Sequence, residues 1–450
     1  MKIKNDKLHD ALQAVTKLAL RMLTHAIENE AFVVSSYDWH FVDCESCARQ
    51  YDNKILWSAH ISRIGAELTE TKEYRNLCAI FEADENFNKH KDVLVGTKYS
   101  ARRIEIPDYV NWCLRPFLIT DSIIVFDEEL FLKAYLDLER VIHSSTVPYQ
   151  WLLPIAGLKL PVASLKLTEQ TELCRLEDSE VENLMNKGVN LGDSLGPADF
   201  CVRIHRYAIR VIDPQKKRIG EDIPDGEVFN PNDDIETILQ TINLFKSGGG
   251  FAIATIRGTT GFLGGAYSLS ASRTIPSFHH NRIEIEEDEL ENFKACFELV
   301  KEANRNSEKK FLVRALHRFY LACTKEISED VLIDLMICGE SLFLSRENRQ
   351  GIGYLISQRA ALLLGTDKVH RYEIYQTIKS AYDLRSSLVH GSAYKVPKKR
   401  DGTPYDNLTP FTDEVEKLMR EAIMRMLEEP YINWTDKVFS MSGSAEYNSD

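Results

Sequence analysis

The spacing of apolar positions along this chain changes character near residue 284. Residues 5–30 predict an amphipathic helix, their apolar positions broken up by Gln13, Lys17 and Arg21. The segment 72–92 predicts a further short helix, SIIVF (122–126) a strand, and residues 128–141 another helix. From 150 to 280, short β-like runs are separated by turn residues. FCVRIHRYAIRVI (200–212) alternates loosely, DIPDGEVFNPNDD (222–234) reads as a long loop, and SGGGFAIATIRGTTGFLGGAYSLS (247–270) as two strands between glycine-rich turns. IEIEEDELENF (283–293) is then an acidic entry into helical periodicity, which persists to about residue 428. The expected fold is multidomain α+β. A mixed, β-rich region over 1–283, with room for an internal division near 145–150, precedes an all-α bundle over 284–440. The small polar end, 441–450, is expected to be disordered.

Four helices stand out in the second region. The first, 309–324, aligns Leu312, Ala315, Phe319 and Ala322. The second, 329–344, turns Leu332, Leu335, Met336, Gly339, Leu342 and Phe343 inward, with Ser328 as its expected N-cap. The third, 351–364, carries Ile352, Leu355, Ile356, Leu362 and Leu363 and is expected to stop at Gly365. The fourth, from about 368 to 390, carries Ile374, Ile378, Ala381, Tyr382 and Val389 and is expected to end at Gly391. A terminal stripe over 412–427, with Val415, Leu418, Met419, Ala422, Ile423 and Met426, closes the bundle.

Three charges interrupt these stripes. Arg359 falls on the apolar series of the third helix, Arg385 on that of the fourth, and Glu340 borders that of the second. A charge buried alone costs several kcal/mol, so each requires a partner or a wet cleft. For Arg359, a structural ion pair with Glu340 is the simplest reading. Arg385 differs because of its neighbours in the chain. His390 lies in the last turn of the same helix, where the negative end of the dipole favours the protonated imidazole. Ser386 and Ser387 add hydroxyls, and Lys398, Lys399 and Arg400 add positive charge downstream.

Composition narrows the chemistry. The net charge of −13 excludes a surface coated for gripping long nucleic acid, though not a local phosphodiester site. With 44% hydrophobic and 27% charged residues, the chain reads as a soluble globular protein. No run approaches the roughly 18 apolar residues of a membrane span, and the N-terminal stripe is too interrupted for a signal peptide. Nine scattered cysteines argue against a disulfide framework. A cytoplasmic protein is the expectation.

An arginine and a histidine suit RNA cleavage without a metal. The imidazole moves protons at the 2′-hydroxyl or leaving oxygen, and the guanidinium matches a charged phosphate. Five residues along an α-helix, however, turn the side chain by about 140°. Arg385 and His390 therefore share no face of a regular helix. Either the helix loosens at Gly391, or a second copy of the chain completes the site.

RFY (318–320), LIDLMICGESLF, SQRAALLLG and YDLRSSLVHG, in that order and spacing over residues 310–395, resemble the Apea-like branch of the HEPN superfamily. The resemblance implies a helical bundle that often dimerises and in many members is a metal-independent ribonuclease, some of them serving in bacterial anti-phage defence. The family's R-x(4–6)-H motif maps onto Arg385 and His390, with Ser386 at the polar position after the arginine. Glu340 and Arg359 would support that pair, and Lys398, Lys399 and Arg400 would lie near the RNA. The implied partners are RNA and a second copy; no cofactor is implied. CGESLF departs from relatives that carry a larger aliphatic residue at the position of Gly339. The alternative is a non-catalytic nucleotide-binding or dimerisation module.

Signals in the front half are weaker. WLLPIAGLKL (151–160) and CRLEDSEVENLM (174–185) resemble the β-rich segment that often precedes this module, with a sensor or regulatory role and an unknown trigger. Cys44 and Cys47, with His40 and His60, form half of a zinc pattern; no second CxxC accompanies it, and two partly buried thiols are the simpler reading. The Gly248–Gly250 loop lacks the lysine and Ser/Thr of a phosphate loop and reads as a turn. The His279–His280 pair reads as solvated.

Overall fold

The computed structural model describes residues 3–28, 36–41, 46–52, 64–84, 93–95, 102–103, 105–118, 125–144, 146–186, 189, 191–193, 201–216, 218–219, 232–259, 268–270, 282–344, 350–399, 402–434 and 436–437. The strand expected over 122–126, most of the 222–234 loop, Cys44, His60, His279, His280, Arg400 and the tail lie wholly or largely outside them. The chain is α+β, combining helices with antiparallel sheets. It divides into two compact units, one of residues 1–154, 168–230 and 253–275, the other of 155–167, 231–252 and 276–450. Among the described residues no helix is long and apolar enough to cross a membrane.

In the first unit, helices α1 (Asp6–Glu28), α2 (Lys72–Ala83), α3 (Ile106–Leu114) and α4 (Glu128–His143) enclose one core. Leu12, Leu77, Phe81, Tyr109, Phe131 and Tyr135 are its large, fully buried side chains. Glu139, itself buried, accepts the backbone N–H groups of Lys4 and Asn5 at 2.9 Å and so ties down the approach to α1. The strand Ser46–Asp52 pairs antiparallel with both Ser36–Phe41 and Cys201–Ile204. The loosely alternating stretch 200–212 breaks at His205 and Arg206 and resumes as Tyr207–Lys216, paired with Thr171–Arg175. Residues 178–186 form helix α5 (Asp178–Asn186).

The second unit is built on α6 (Asn232–Phe245), α7 (Leu290–Arg305), α8 (Lys310–Cys323), α9 (Ser328–Phe343), α10 (Ile352–Leu364), α11 (Lys368–Val389) and α12 (Thr409–Glu428). One continuous core runs through it, from Val300 and Phe319 through Leu335, Met336 and Phe343 to Ile378, Met419 and Ile423. The apolar stripes expected on α8, α9 and α12 are the buried ones, with Leu418 at the margin.

The unit is larger than the stretch from 284 onward. It takes in residues 155–167 and α6, which replaces the end of the expected loop and lies among strand-like runs. Helix α6 escapes a search for amphipathic stripes because nearly every residue from Ile235 to Leu244 is buried, polar Thr237, Gln240, Thr241 and Asn243 included. A helix buried on nearly every side, with only Glu236 exposed beyond its first turn, shows too little solvent face to mark its period.

Helix ends also differ in detail from expectation. The N-cap of α9 is Ile327; Ser328 is the first helical residue, and its hydroxyl lies 2.9 Å from that of Thr409. Gly391 follows α11 at φ 65°, the left-handed conformation that releases a helix end. Gly365 stops α10 as expected: it is the extended C-cap whose N–H donates to the Ala361 carbonyl, and a Cβ there would lie 2.7 Å from that oxygen.

Two helical glycines should respond oppositely to alanine. A Cβ on Gly339 would meet Met419 Sδ at 3.4 Å and Ile356 Cγ2 at 3.5 Å, ordinary contacts. Gly339→Ala should therefore stabilise α9 by about 0.5–1 kcal/mol through backbone entropy. A Cβ on Gly353 would sit 2.7 Å from the Tyr382 ring. Gly353→Ala should destabilise by about 1–3 kcal/mol because α10 and α11 must separate there. Urea unfolding of the two variants checks both signs.

Candidate functional site

Helix α11 reaches Val389 without interruption, so the 140° offset persists and the two motif residues occupy different surroundings. Arg385 stands on the inward side among Ile378, Ala381 and Leu384, with its side chain 24% exposed. Its Nη2 lies 3.4 Å from Glu340 Oε1 on α9. Its guanidinium carbon is 5.8 Å from the centre of the Tyr382 ring, while its Nε is buried without a hydrogen-bond partner. Burial first, and the Glu340 carboxylate second, push the Tyr382 phenol up from its ordinary pKa. Gly353 leaves room for that ring against α10. Arg385, Glu340 and Tyr382 thus form one half-buried polar cluster in a seam of three helices.

His390 is the C-cap of α11 and is exposed. Its backbone N–H donates to the Ser386 carbonyl at 3.2 Å, and the turn is finished by Ser392 N–H to the Ser387 carbonyl at 2.9 Å. The imidazole has no hydrogen-bond or ion-pair partner among the described residues. Ser386 is half-buried one turn earlier, between the two motif residues. Lys398 and Lys399 stand on a short bridge between Lys398 and Pro404, and the Lys399 ammonium lies 5.6 Å from the Tyr405 ring centre.

Arg359 is not the partner of Glu340. The ion pair of Glu340 is with Arg385. Arg359 instead donates to the carbonyl of Phe343, the last residue of α9, and its guanidinium lies 5.5 Å from the centre of the Trp434 ring. A cation at a helix C-terminus meets unsatisfied carbonyls and the negative end of the dipole. Desolvation lowers the Arg359 pKa. Its position explains the charge on the apolar stripe as a cap on α9.

One ionic centre is not visible in the residue pattern. Asp334, 2% exposed on α9, lies 2.9 Å from Arg318 Nη1 and 2.5 Å from Lys325 Nζ. Its signal is a single acid inside the apolar run LIDLMI, whose partners stand on and just beyond a different helix. Cys323 and Cys338 are buried free thiols, and desolvation is the main cause that raises the pKa of each.

No family model, no curated protein and no solved structure matches the chain.

Proposed function

We propose that the helical unit is a metal-independent RNA endonuclease of the HEPN type, acting in bacterial anti-phage defence, with the part of residues 1–283 that lies in the first compact unit in a sensor or regulatory role. The observation that carries the reading is the end of α11. A histidine with no side-chain partner among the described residues caps the helix, and five residues before it a guanidinium stands in a half-open seam. The Arg385 fork is incompletely used, with one weak contact to a carboxylate and a buried Nε that donates to nothing. Phosphate oxygens are the geometric match for such a fork.

In the reaction, the 2′-oxygen of a ribose attacks the adjacent phosphorus while the bond from phosphorus to the 5′-oxygen breaks. One fragment ends in a 2′,3′-cyclic phosphate and the other in a 5′-hydroxyl. His390 moves the proton, from the attacking 2′-hydroxyl or to the departing 5′-oxygen. Arg385 holds the charge that gathers on the non-bridging oxygens, and Ser386 offers a hydroxyl between them. Because the two residues face apart on one helix, the reading places the RNA between two copies of the unit. Val389, 53% exposed in the last turn of α11, leaves an apolar side chain beside the motif for such pairing.

The test is incubation of the purified full chain with total cellular RNA, with mapping of the cut ends. Expected are 2′,3′-cyclic phosphate termini, insensitivity to EDTA, and loss of cutting in His390→Ala. Intact RNA in the wild-type reaction, or wild-type cutting by His390→Ala, would reject the reading.

The ion pair between Arg385 and Glu340 favours a second reading, in which Arg385 holds α11 to α9 in a non-catalytic binding or dimerisation module. The two readings differ in what Glu340→Gln does.

A further inference from the structure

A cleft of about 590 Å³ opens in the helical unit, lined by residues of α6, the α7–α8 junction and α8. It is separate from the end of α11: α8 packs against α6, α7, α9 and α12, whereas α11 packs against α9, α10 and α12. Its two walls differ in chemistry. On the α8 wall, Lys310, Arg314 and His317 stand at i, i+4 and i+7 with Val313 among them, and Arg305 at the end of α7 adds a further cation. On the α6 wall stands Glu236, half-exposed, whose Oε1 lies 2.9 Å from His317 Nδ1. Asn304 on α7 donates to Thr237 Oγ1 at 2.9 Å and to Gln240 Oε1 at 3.0 Å. Those bonds tie the end of α7 to α6 and hold the cleft in shape.

The cations of the α8 wall are left open. Lys294, Lys301, Lys379, Arg420 and Arg425 each face a carboxylate one turn away on their own helix. Lys310 and Arg314 have no carboxylate partner among the described residues and stand at i, i+4, a spacing that costs a few tenths of a kcal/mol for like charges. Arg305 has only Asp234, at 3.8 Å. In a chain of net charge −13, such a cluster around a concave site calls for an anionic occupant. The opposite wall selects which anion. A run of phosphates offers only acceptors at its charged face, and Glu236 would meet it oxygen to oxygen. An acidic peptide offers both kinds of group: carboxylates for the cations, and backbone N–H donors for Glu236. The spacing agrees. Side chains at i and i+4 of a helix stand about 6 Å apart, and alternate side chains of an extended peptide about 6.6 Å apart. Two glutamates flanking one residue therefore reach Lys310 and Arg314 together, with their methylene groups over Val313.

From this juxtaposition we infer that the cleft docks an extended acidic segment of a partner protein. Alternate carboxylates meet Lys310 and Arg314, a further one meets Arg305, and the intervening N–H groups face Glu236. The inference goes beyond the nuclease reading and uses none of that site's residues. Fluorescence anisotropy of the full chain at low ionic strength tests it, with a labelled peptide of alternating glutamate and serine as the probe. The probe should bind, and its counterpart with glutamine in place of glutamate should not. In competition, the unlabelled peptide should displace the probe more effectively than a deoxyoligonucleotide of equal charge. Lys310→Ala/Arg314→Ala should weaken binding at least tenfold, with folding checked by circular dichroism. If that pair misfolds, Arg314→Ala alone, at an exposed position, should weaken it at least threefold. His390→Ala should bind as wild type. The inference is overturned if the probe does not bind at millimolar concentration, if the oligonucleotide is the better competitor, if a folded cleft variant binds as wild type, or if His390→Ala removes the binding.

Discussion

Alanine at both Arg318 and Lys325 should cost the helical unit about 3–5 kcal/mol, more than removal of the carboxylate they share. The asymmetry arises from exposure. Asp334 is 2% exposed, whereas Arg318 and Lys325 are 39% and 38% exposed. When Asp334→Ala removes the acid, both cations swing into water, and the loss is that of charged hydrogen bonds, about 1.5–3 kcal/mol. When the cations go, a carboxylate stays between α8 and α9 with no counter-charge and no route to solvent. Adding Asp334→Asn to the double variant should restore part of the loss, since an amide is far cheaper to bury than an anion. Urea unfolding of the three proteins decides it. A triple variant no more stable than the double would show that the network does not act through charge.

The contrast between that triad and the apolar stripes shows what residue order alone can convey. Leu332, Leu335, Met336, Leu342 and Phe343 are legible because helical period is a local property, and burial accompanies it. The same period locates Arg385 and Arg359 on inward faces. It cannot say which neighbour each will meet, because helix phase fixes a direction and not the helix across the gap. Residue order therefore gives Glu340 to Arg359, whereas the packing of α9 against α11 gives it to Arg385 and leaves Arg359 to cap α9. Asp334 and α6 escape notice for a related reason: one is a lone acid in an apolar run, the other a helix covered nearly all round, and only tertiary packing explains either. Gly353 reads as an ordinary small residue until the Tyr382 ring is seen against it. The line of Lys310, Arg314 and His317 is present in the residue order as well, but a cleft needs α6 and the end of α7 to give it a second wall.

Alanine at His390 should lower RNA cleavage by about 10²–10⁴-fold, the usual worth of a positioned proton-transfer group, while leaving stability within about 0.5 kcal/mol of wild type, as exposed sites do. Arg385→Ala should abolish cleavage too, but with a loss of stability, because Glu340, 27% exposed, is left in the seam without its cation. These single variants alone do not separate a guanidinium that holds phosphate from one that only pins α11 to α9. Glu340→Gln separates them. It leaves Arg385 in place and frees its fork, so a phosphate-binding arginine keeps cutting and loses only some stability. If Arg385 is a staple, Glu340→Gln instead reproduces Arg385→Ala in every readout. The decisive pairing is therefore cleavage rate against urea midpoint for all three variants. Cleavage that tracks stability in Arg385→Ala and Glu340→Gln alike, with His390→Ala cutting as wild type, would leave α11 a structural helix and remove the nuclease from this unit.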